Sequence, residues 1–202
     1  MAGDRPAIYL ASASPRRSEL LRQIDVTHEV RPVDIDESPR PGEKPADYAL
    51  RLAEEKARAL WEQLAVAERR PVLAADTTVA LGDEILGKPA DHADAVRILS
   101  RLSGRSHEVH TAVAVLHEGG ANARVSTSTV AFRPLTRVEI DWYWRTGEPA
   151  DKAGAYGVQG HAAIFIRHLA GSYSGVMGLP LYETWELLTP ALGLTGWNTQ
   201  AP

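Results

Sequence analysis

The sequence predicts an α/β protein, a mixed twisted sheet with flanking helices arranged as two lobes around a cleft. Three observations carry this. Short apolar runs such as Ile8–Leu10 and Pro71–Ala75 alternate with helical patterns. Two alternating runs, His107 to Leu116 and Ala123 to Phe132, flank Glu118-Gly119-Gly120 and so form a long antiparallel hairpin within that order. No repeat or linker interrupts the 202 residues, so one domain is expected over 1–202. With 44% hydrophobic and 24% charged residues the composition is that of a folded globular chain. A net charge of −4 argues against nucleic acid polymers as partners. The absence of cysteine excludes disulfides, thiolate nucleophiles and thiolate-bound metals. No apolar run reaches the roughly 18 residues of a membrane span, so a soluble, cytoplasmic chain is expected.

The first element, Ile8 to Leu21, reads as a short strand, a small-residue turn and a helix start running to about Ile24. Ser14 suits the N-cap and Pro15 the first helical position. Arg16 and Arg17 then face the positive end of the helix dipole, which costs up to about 1 kcal/mol unless an anion compensates. Either exposed N–H groups, the hydroxyls of Ser12 and Ser14, and two guanidinium forks cradle a triphosphate, or this is a surface helix that happens to start with two arginines. Thr27 to Ile35 looks extended and runs into the acidic residues Asp34, Asp36 and Glu37. Pro39, Pro41 and Pro45 break the chain before a helix that begins near Asp47, with an apolar stripe of Ala49, Leu52, Ala53, Ala57, Leu60 and Leu64. Lys56 lies inside that stripe. It either snorkels to water or directs its ammonium into a cleft.

Pro71–Ala75 suits a central strand covered on both faces, and Asp76-Thr77-Thr78 is placed just past its end. Ligands gather at the carboxyl ends of strands in such sheets, so Asp76 is a candidate catalytic or metal-binding carboxylate beside its simpler reading as a turn former. A hairpin through Gly82-Asp83 returns Gly87-Lys88-Pro89 toward that strand, where Lys88 meets Asp76 or remains a solvated loop lysine. Asp91 caps a helix over about Ala93 to Leu102, stopped by Gly104. The hydroxyl-rich second strand of the long hairpin is expected to have a wet face. Thr136 and Glu139 form a capping box for a helix ending near Gly147. Asp151–Gly160 has three glycines that permit close approach of backbone to a ligand. Ala163 to His168 reads as a strand, Gly171–Gly175 as a loop, and a last helix follows Pro180 before a partly disordered tail from Thr189 to Pro202. The histidines have no metal-ligand spacing; His107 and His110 fall on opposite strand faces.

Leu10–Arg17, Ala75–Val79, Gly87–Pro89, Asp151–Gly160 and Gly178–Pro180, in this order and spacing, resemble the Maf family of nucleoside triphosphate pyrophosphatases over about residues 8–188. The resemblance implies a fold like that of inosine triphosphate pyrophosphatases, and commonly a homodimer. It implies Asp76 as catalytic base, completed by Glu37, Lys56 and Lys88. Arg16, Thr77 and Gln159 match the residues that separate the dTTP/UTP branch from relatives acting on 7-methyl-GTP, and a glutamine amide offers the donor and acceptor that a pyrimidine edge requires. The expected reaction is attack of water between the α- and β-phosphates, giving the monophosphate and pyrophosphate. Asp76 and Glu37 are the expected ligands of Mg²⁺ or Mn²⁺, since only hard oxygen donors stand beside a triphosphate. Arg16, Arg17, Lys56 and Lys88 would neutralise phosphate charge, with Ser12 and Ser14 lining the cradle. Two rival readings remain: the same hydrolysis of 7-methyl-GTP or another modified nucleotide, and a nucleotide-sensing regulator, because members of the family are linked to arrest of cell division. A pure sensor has no use for two carboxylates beside its ligand's phosphates.

Overall fold

The apolar tripeptide Ile8-Tyr9-Leu10 is fully buried and forms β1 (Ile8–Leu10), which enters α1 (Pro15–Gln23). In this computed structural model, which describes residues 7–194, the chain continues through β2 (His28–Val30), α2 (Pro45–Gln63), β3 (Val72–Leu81), β4 (Glu84–Leu86) and α3 (His92–Leu102). The hairpin of β5 (Ser106–His117) and β6 (Gly120–Phe132) precedes α4 (Arg137–Arg145), β7 (Ile166–Ala170), α5 (Tyr173–Met177) and α6 (Leu181–Ala191). Among the described residues the seven strands make one sheet in the order β2-β1-β3-β5-β6-β7, with β4 attached to β3. Strands β1, β2 and β3 are parallel and the other pairings antiparallel, so the sheet is mixed as expected.

Three apolar clusters hold the layers. On one face of β1, β3 and β5, Leu73, Ala75, Val113 and Val115 pack with Leu20, Leu21, Leu187 and Leu188 of α1 and α6. On the opposite face Ala74, Ala112 and Ala114 pack with Ala49, Ala53, Ala57 and Leu60 of α2. The small alanines let helix and sheet approach closely. A third cluster joins Ile98, Leu99 and Leu102 of α3 to Phe132, Ile140, Tyr143, Tyr156 and Phe165, forming the second lobe. No helix among the described residues is long and apolar enough to cross a membrane.

The caps of α3 and α4 match their sequence signals. The Asp91 side chain accepts from the Asp94 N–H at 2.8 Å, and Thr136 and Glu139 form both halves of a capping box. Ser14 holds the N-cap position of α1, but its side chain makes no cap bond; its own N–H donates to Ser12 Oγ at 3.2 Å.

Several boundaries differ from expectation. Strand β2 covers only three residues of the extended segment, and α2 starts earlier, with Pro45 at its first turn. Strand β3 does not stop before Asp76: it runs on to Leu81 because every residue from Val72 to Ala80 pairs with β5, and the β-branched Thr77, Thr78 and Val79 suit that ladder. Strand β6 has the expected wet face at the exposed Thr127 and half-buried Thr129, while its other face is dry from Ser126 onward. Ser126 and Ser128 are buried, and Ser128 Oγ accepts from the Ser172 N–H at 2.9 Å. His161–Phe165 is a 3₁₀ turn rather than strand, and the loop at Gly171–Gly175 contains the start of α5, whose N-cap Ser172 accepts from Gly175 N–H at 3.0 Å. Helix α6 extends to Ala191 with Pro190 in its last turn, shortening the expected tail; residues 195–202 lie outside the described ones.

His107 and His110 are both buried and on opposite faces, as their spacing requires. His107 Nε2 is 2.8 Å from the Tyr156 hydroxyl, its ring meets Phe132 and Tyr156 edge-on, and burial pushes its pKa down to about 4. The unfolded chain, with histidine near its ordinary value of roughly 6.5, binds this proton where the folded chain does not. Stability therefore rises with pH between those two values. Urea unfolding at pH 5 should show His107 lowering stability by about 1–2 kcal/mol relative to pH 7, and His107→Leu should flatten that slope.

Candidate active site

Beyond Leu10, which pairs with Leu73, β1 turns away from β3. On the same edge β4 begins its pairing only at Val79. Between these points β3 is flanked by β5 alone, and a cleft of about 610 Å³ opens there. It is large enough for a nucleotide.

Alternation along β3 divides the chemistry. Asp76 shares the face of Ala74, toward α2, whereas Thr77 shares the face of Ala75, toward α1 and α6. Asp76 is therefore not a strand-end acid but a mid-strand one, 8% exposed at the unpaired stretch. On its face, Lys56 Nζ lies 2.8 Å from Asp76 Oδ1 and 2.6 Å from Glu37 Oε1. The lysine is 12% exposed, so it directs its ammonium into the cleft rather than to water. Thr78 Oγ1 donates to Asp76 Oδ2 at 3.3 Å. Glu37 sits on the loop between β2 and α2; burial opposes its ionisation, but the Lys56 ammonium, with Lys88 and Arg17 behind it, outweighs that and holds its pKa below the usual range. Lys88 lines the cleft, but the ammonium bound to Asp76 is that of Lys56.

The Glu37 loop is tied to α2 at both ends. Tyr48 donates to the Glu37 carbonyl at 2.8 Å, and Arg51 grips Glu43 with two bonds of 2.6 and 2.8 Å while donating to the Ser38 carbonyl. Burial, then Asp76 and Glu37, push the Tyr48 hydroxyl pKa up to about 12, so it remains a donor. Tyr48 lines the cleft and was missed in the sequence, although it lies on the helical face of Leu52 and Lys56.

On the other face Arg17 is an anchor. Its Nε donates to the Gly178 carbonyl at 2.8 Å, Nη1 to Ser12 Oγ at 2.9 Å and Nη2 to Thr77 Oγ1 at 3.4 Å. Burial lowers its pKa, opposed by Asp76, but a guanidinium stays charged. The Thr111 hydroxyl donates to the Gly175 carbonyl at 2.7 Å, so in its 3.1 Å contact with Thr77 the proton comes from Thr77. Ser12 and Thr77 are thus already partnered. Among the described residues the Arg16 guanidinium has one ion pair, at 3.6 Å to the exposed Asp151. Gln159 lines the cleft, is exposed, and has no hydrogen-bond partner among the described residues.

Of the glycines of Asp151–Gly160, Gly157 lines the cleft, while Gly154 and Gly160 make close approaches within the protein. A Cβ on Gly154 would lie 2.8 Å from Val79, and one on Gly160 would lie 2.3 Å from the Glu148 carboxylate. Gly154 also has a φ of +68°. Asp151 and Lys152 line the cleft and were not singled out by sequence; neither sits on a periodic element that would have pointed to it. The lining carries five cations, Arg16, Arg17, Lys56, Lys88 and Lys152, against the carboxylates of Glu37, Asp76 and Asp151. A chain of net charge −4 therefore holds a cationic cleft suited to a polyanion.

Comparison with known proteins agrees with that chemistry. The description Maf-like protein matches residues 7–191. The chain belongs to the Maf-like family. A dTTP/UTP pyrophosphatase of Bordetella parapertussis is 53% identical over 197 residues, 95% of each chain. Enzymes of the same name from Nitrosomonas europaea and Saccharophagus degradans are each 50% identical, covering 90% and 99% of this Maf-like chain and 92% and 96% of their own. The solved Ham1 protein of Staphylococcus aureus aligns at a TM-score of 0.43 and 16% identity over 62% of this chain and 71% of that one, too loose to bear on the site.

Lys56→Met leaves Asp76 buried against Glu37 without its counter-ion. Between the values for exposed and buried pairs, the expected loss at pH 7 is about 1–3 kcal/mol. The depressed Glu37 pKa contributes stability above its unfolded value of roughly 4.3 and loses it as pH falls through the folded one. The difference between wild type and Lys56→Met in urea unfolding should therefore shrink below about pH 4.

Proposed function

We propose that this Maf-like chain is a nucleoside triphosphate pyrophosphatase that hydrolyses dTTP and UTP to the monophosphate and pyrophosphate. The observation that carries the reading is the pair Asp76 and Glu37, both within 2.8 Å of one half-buried ammonium, in a cationic cleft that also presents the Gln159 amide, unpartnered among the described residues. The names of its relatives, at about 50% identity over nearly the whole chain, support the same substrates.

In this reading Asp76 orients the attacking water and takes its proton as the new O–Pα bond forms and the bond from Pα to the α,β-bridging oxygen breaks, that oxygen leaving with pyrophosphate. Lys56 and the Thr78 hydroxyl hold that carboxylate in place through Oδ1 and Oδ2. Lys88 and Lys152, with Arg16, neutralise charge on the departing pyrophosphate. Arg17, committed to three partners, shapes the phosphate turn and contributes its fixed charge. Gln159 pairs with the base edge.

The donor set suits a divalent ion. Two carboxylates converge on the position of an ammonium, a place that already favours positive charge, and substrate phosphates would complete a set of hard oxygens. Glu37 and Asp76 would hold Mg²⁺ or Mn²⁺. When bound, such an ion polarises the scissile phosphate and lowers the pKa of water. No cluster of three or more carboxylate or histidine ligands exists among the described residues, so most of the ion's ligands would come from substrate and water.

Asp76→Asn should lower pyrophosphate release from dTTP, assayed with Mg²⁺, by about 10²–10⁴-fold. Unchanged turnover would remove Asp76 from the chemistry. Arg16→Ala should raise KM and alter the ranking in a panel of dTTP, UTP, GTP and 7-methyl-GTP. Preference of the wild type for 7-methyl-GTP, or tight nucleotide binding without product, would favour the rival readings instead.

A further inference from the structure

Glu148 lies outside the cleft, yet its side chain is only 14% exposed and accepts from several donors. Its Oε1 accepts from the Tyr143 hydroxyl at 2.7 Å. Its Oε2 accepts from the backbone N–H of His161 at 2.8 Å and stands 2.9 Å from His161 Nδ1. The Tyr143 oxygen in turn accepts from the Gly157 N–H at 3.1 Å. The two ends of the segment Gly157–His161 are thereby tied to one carboxylate, and Gln159 is the residue between them that lines the cleft. The Glu148 carbonyl accepts from Lys152 Nζ at 2.7 Å, linking the same residue to a cleft cation. Gly160 is glycine because a Cβ would lie 2.3 Å from both carboxylate oxygens. Burial opposes ionisation of Glu148, but the donors from Tyr143, His161 and Ala162 outweigh it and keep its pKa below the usual range.

We propose that Glu148 is a positioning residue for base recognition: its carboxylate, through Tyr143 and His161, fixes the loop that presents Gln159 to the nucleobase. The inference rests on the reading of Gln159 as the residue that contacts the base. A glutamine amide discriminates only if its backbone is held, because a side chain on a mobile loop can follow either edge of a base. The carboxylate is suited to this because it accepts at both oxygens, whereas an amide turns a donor toward one of these partners.

The test compares wild type with Glu148→Gln, Tyr143→Phe and His161→Ala, using dTTP and GTP as substrates with Mg²⁺. Glu148→Gln should raise KM for dTTP about 10-fold and reduce the dTTP-over-GTP ratio of kcat/KM by a similar factor, with kcat at saturation within about threefold of wild type. Tyr143→Phe should reproduce that pattern, and the double variant should be no worse than the worse single one. His161→Ala removes the exposed ring's contacts with Glu148 and with Trp142, leaves the core intact and should raise KM about 2- to 5-fold, which keeps the test decisive if the buried variants unfold. Equal loss on both substrates, a fall in kcat alone, or an unchanged KM in His161→Ala would overturn the proposal. Failure of wild-type protein to hydrolyse any triphosphate would instead overturn the activity on which it rests.

Discussion

The Lys56 ammonium between Asp76 and Glu37 is the contact on which the cleft depends. It adds a charged tie to the apolar packing of α2 on β3 and brings the Glu37 loop to both. Two carboxylates that close repel each other, and Asp76 is buried; without the ammonium one of them would take up a proton or move apart. A buried ion pair is a poor source of stability, because desolvation consumes most of its Coulombic gain. Its worth is therefore positional. Lys56 sets the distance between the acids and keeps Glu37 ionised. Arg51 does the same for the loop, clamping Glu43 so that Glu37 arrives at Lys56 rather than in solvent.

The room for that site comes from the sheet. Strand β1 ends at Leu10 and β4 joins only at Val79, so the intervening stretch of β3 is held straight by β5 while its other edge faces the cleft. A pleat of period two then delivers Asp76 to one side and Thr77 to the other. The two sides receive different partners: Lys56 from α2 on one, Arg17 from α1 and the Gly178 carbonyl on the other. A nucleotide lying in the gap would meet acids on one wall and an arginine and hydroxyl network on the opposite wall.

How much of this was legible in the chain follows from the range of each signal. Helical periodicity is local, so the inward direction of Lys56 could be read from its neighbours, and the same stripe would have yielded Tyr48. The caps at Asp91 and Thr136 were legible for the same reason. The position of Asp76 was not, because where β3 loses its parallel partner depends on where β1 stops, a fact written some sixty residues earlier. The close approach allowed by the glycines of 154–160 was visible, but not its object at Gly154 and Gly160, where the neighbours are Val79 and Glu148. The structural commitment of Arg17 depends on a carbonyl 161 residues away.

That commitment separates two adjacent arginines that look equivalent in sequence. Both lie in the first turn of α1, at the end of the helix that disfavours cations, and each guanidinium disfavours the other. Arg17 offsets this with a carbonyl and two hydroxyls, all neutral acceptors, which satisfy its donors without cancelling its charge. Arg16 has one long contact to an exposed carboxylate, which water and salt screen. The charge of Arg17 thus has no ion-pair partner in the turn itself, its carboxylate field coming from Asp76 and Glu37 across the cleft, and Arg16 beside it is held less closely. In the proposed reading a substrate phosphate would relieve both the repulsion between the arginines and the unfavourable helix end, and Arg17, whose own acceptors in the turn are neutral, would leave its charge available to that phosphate.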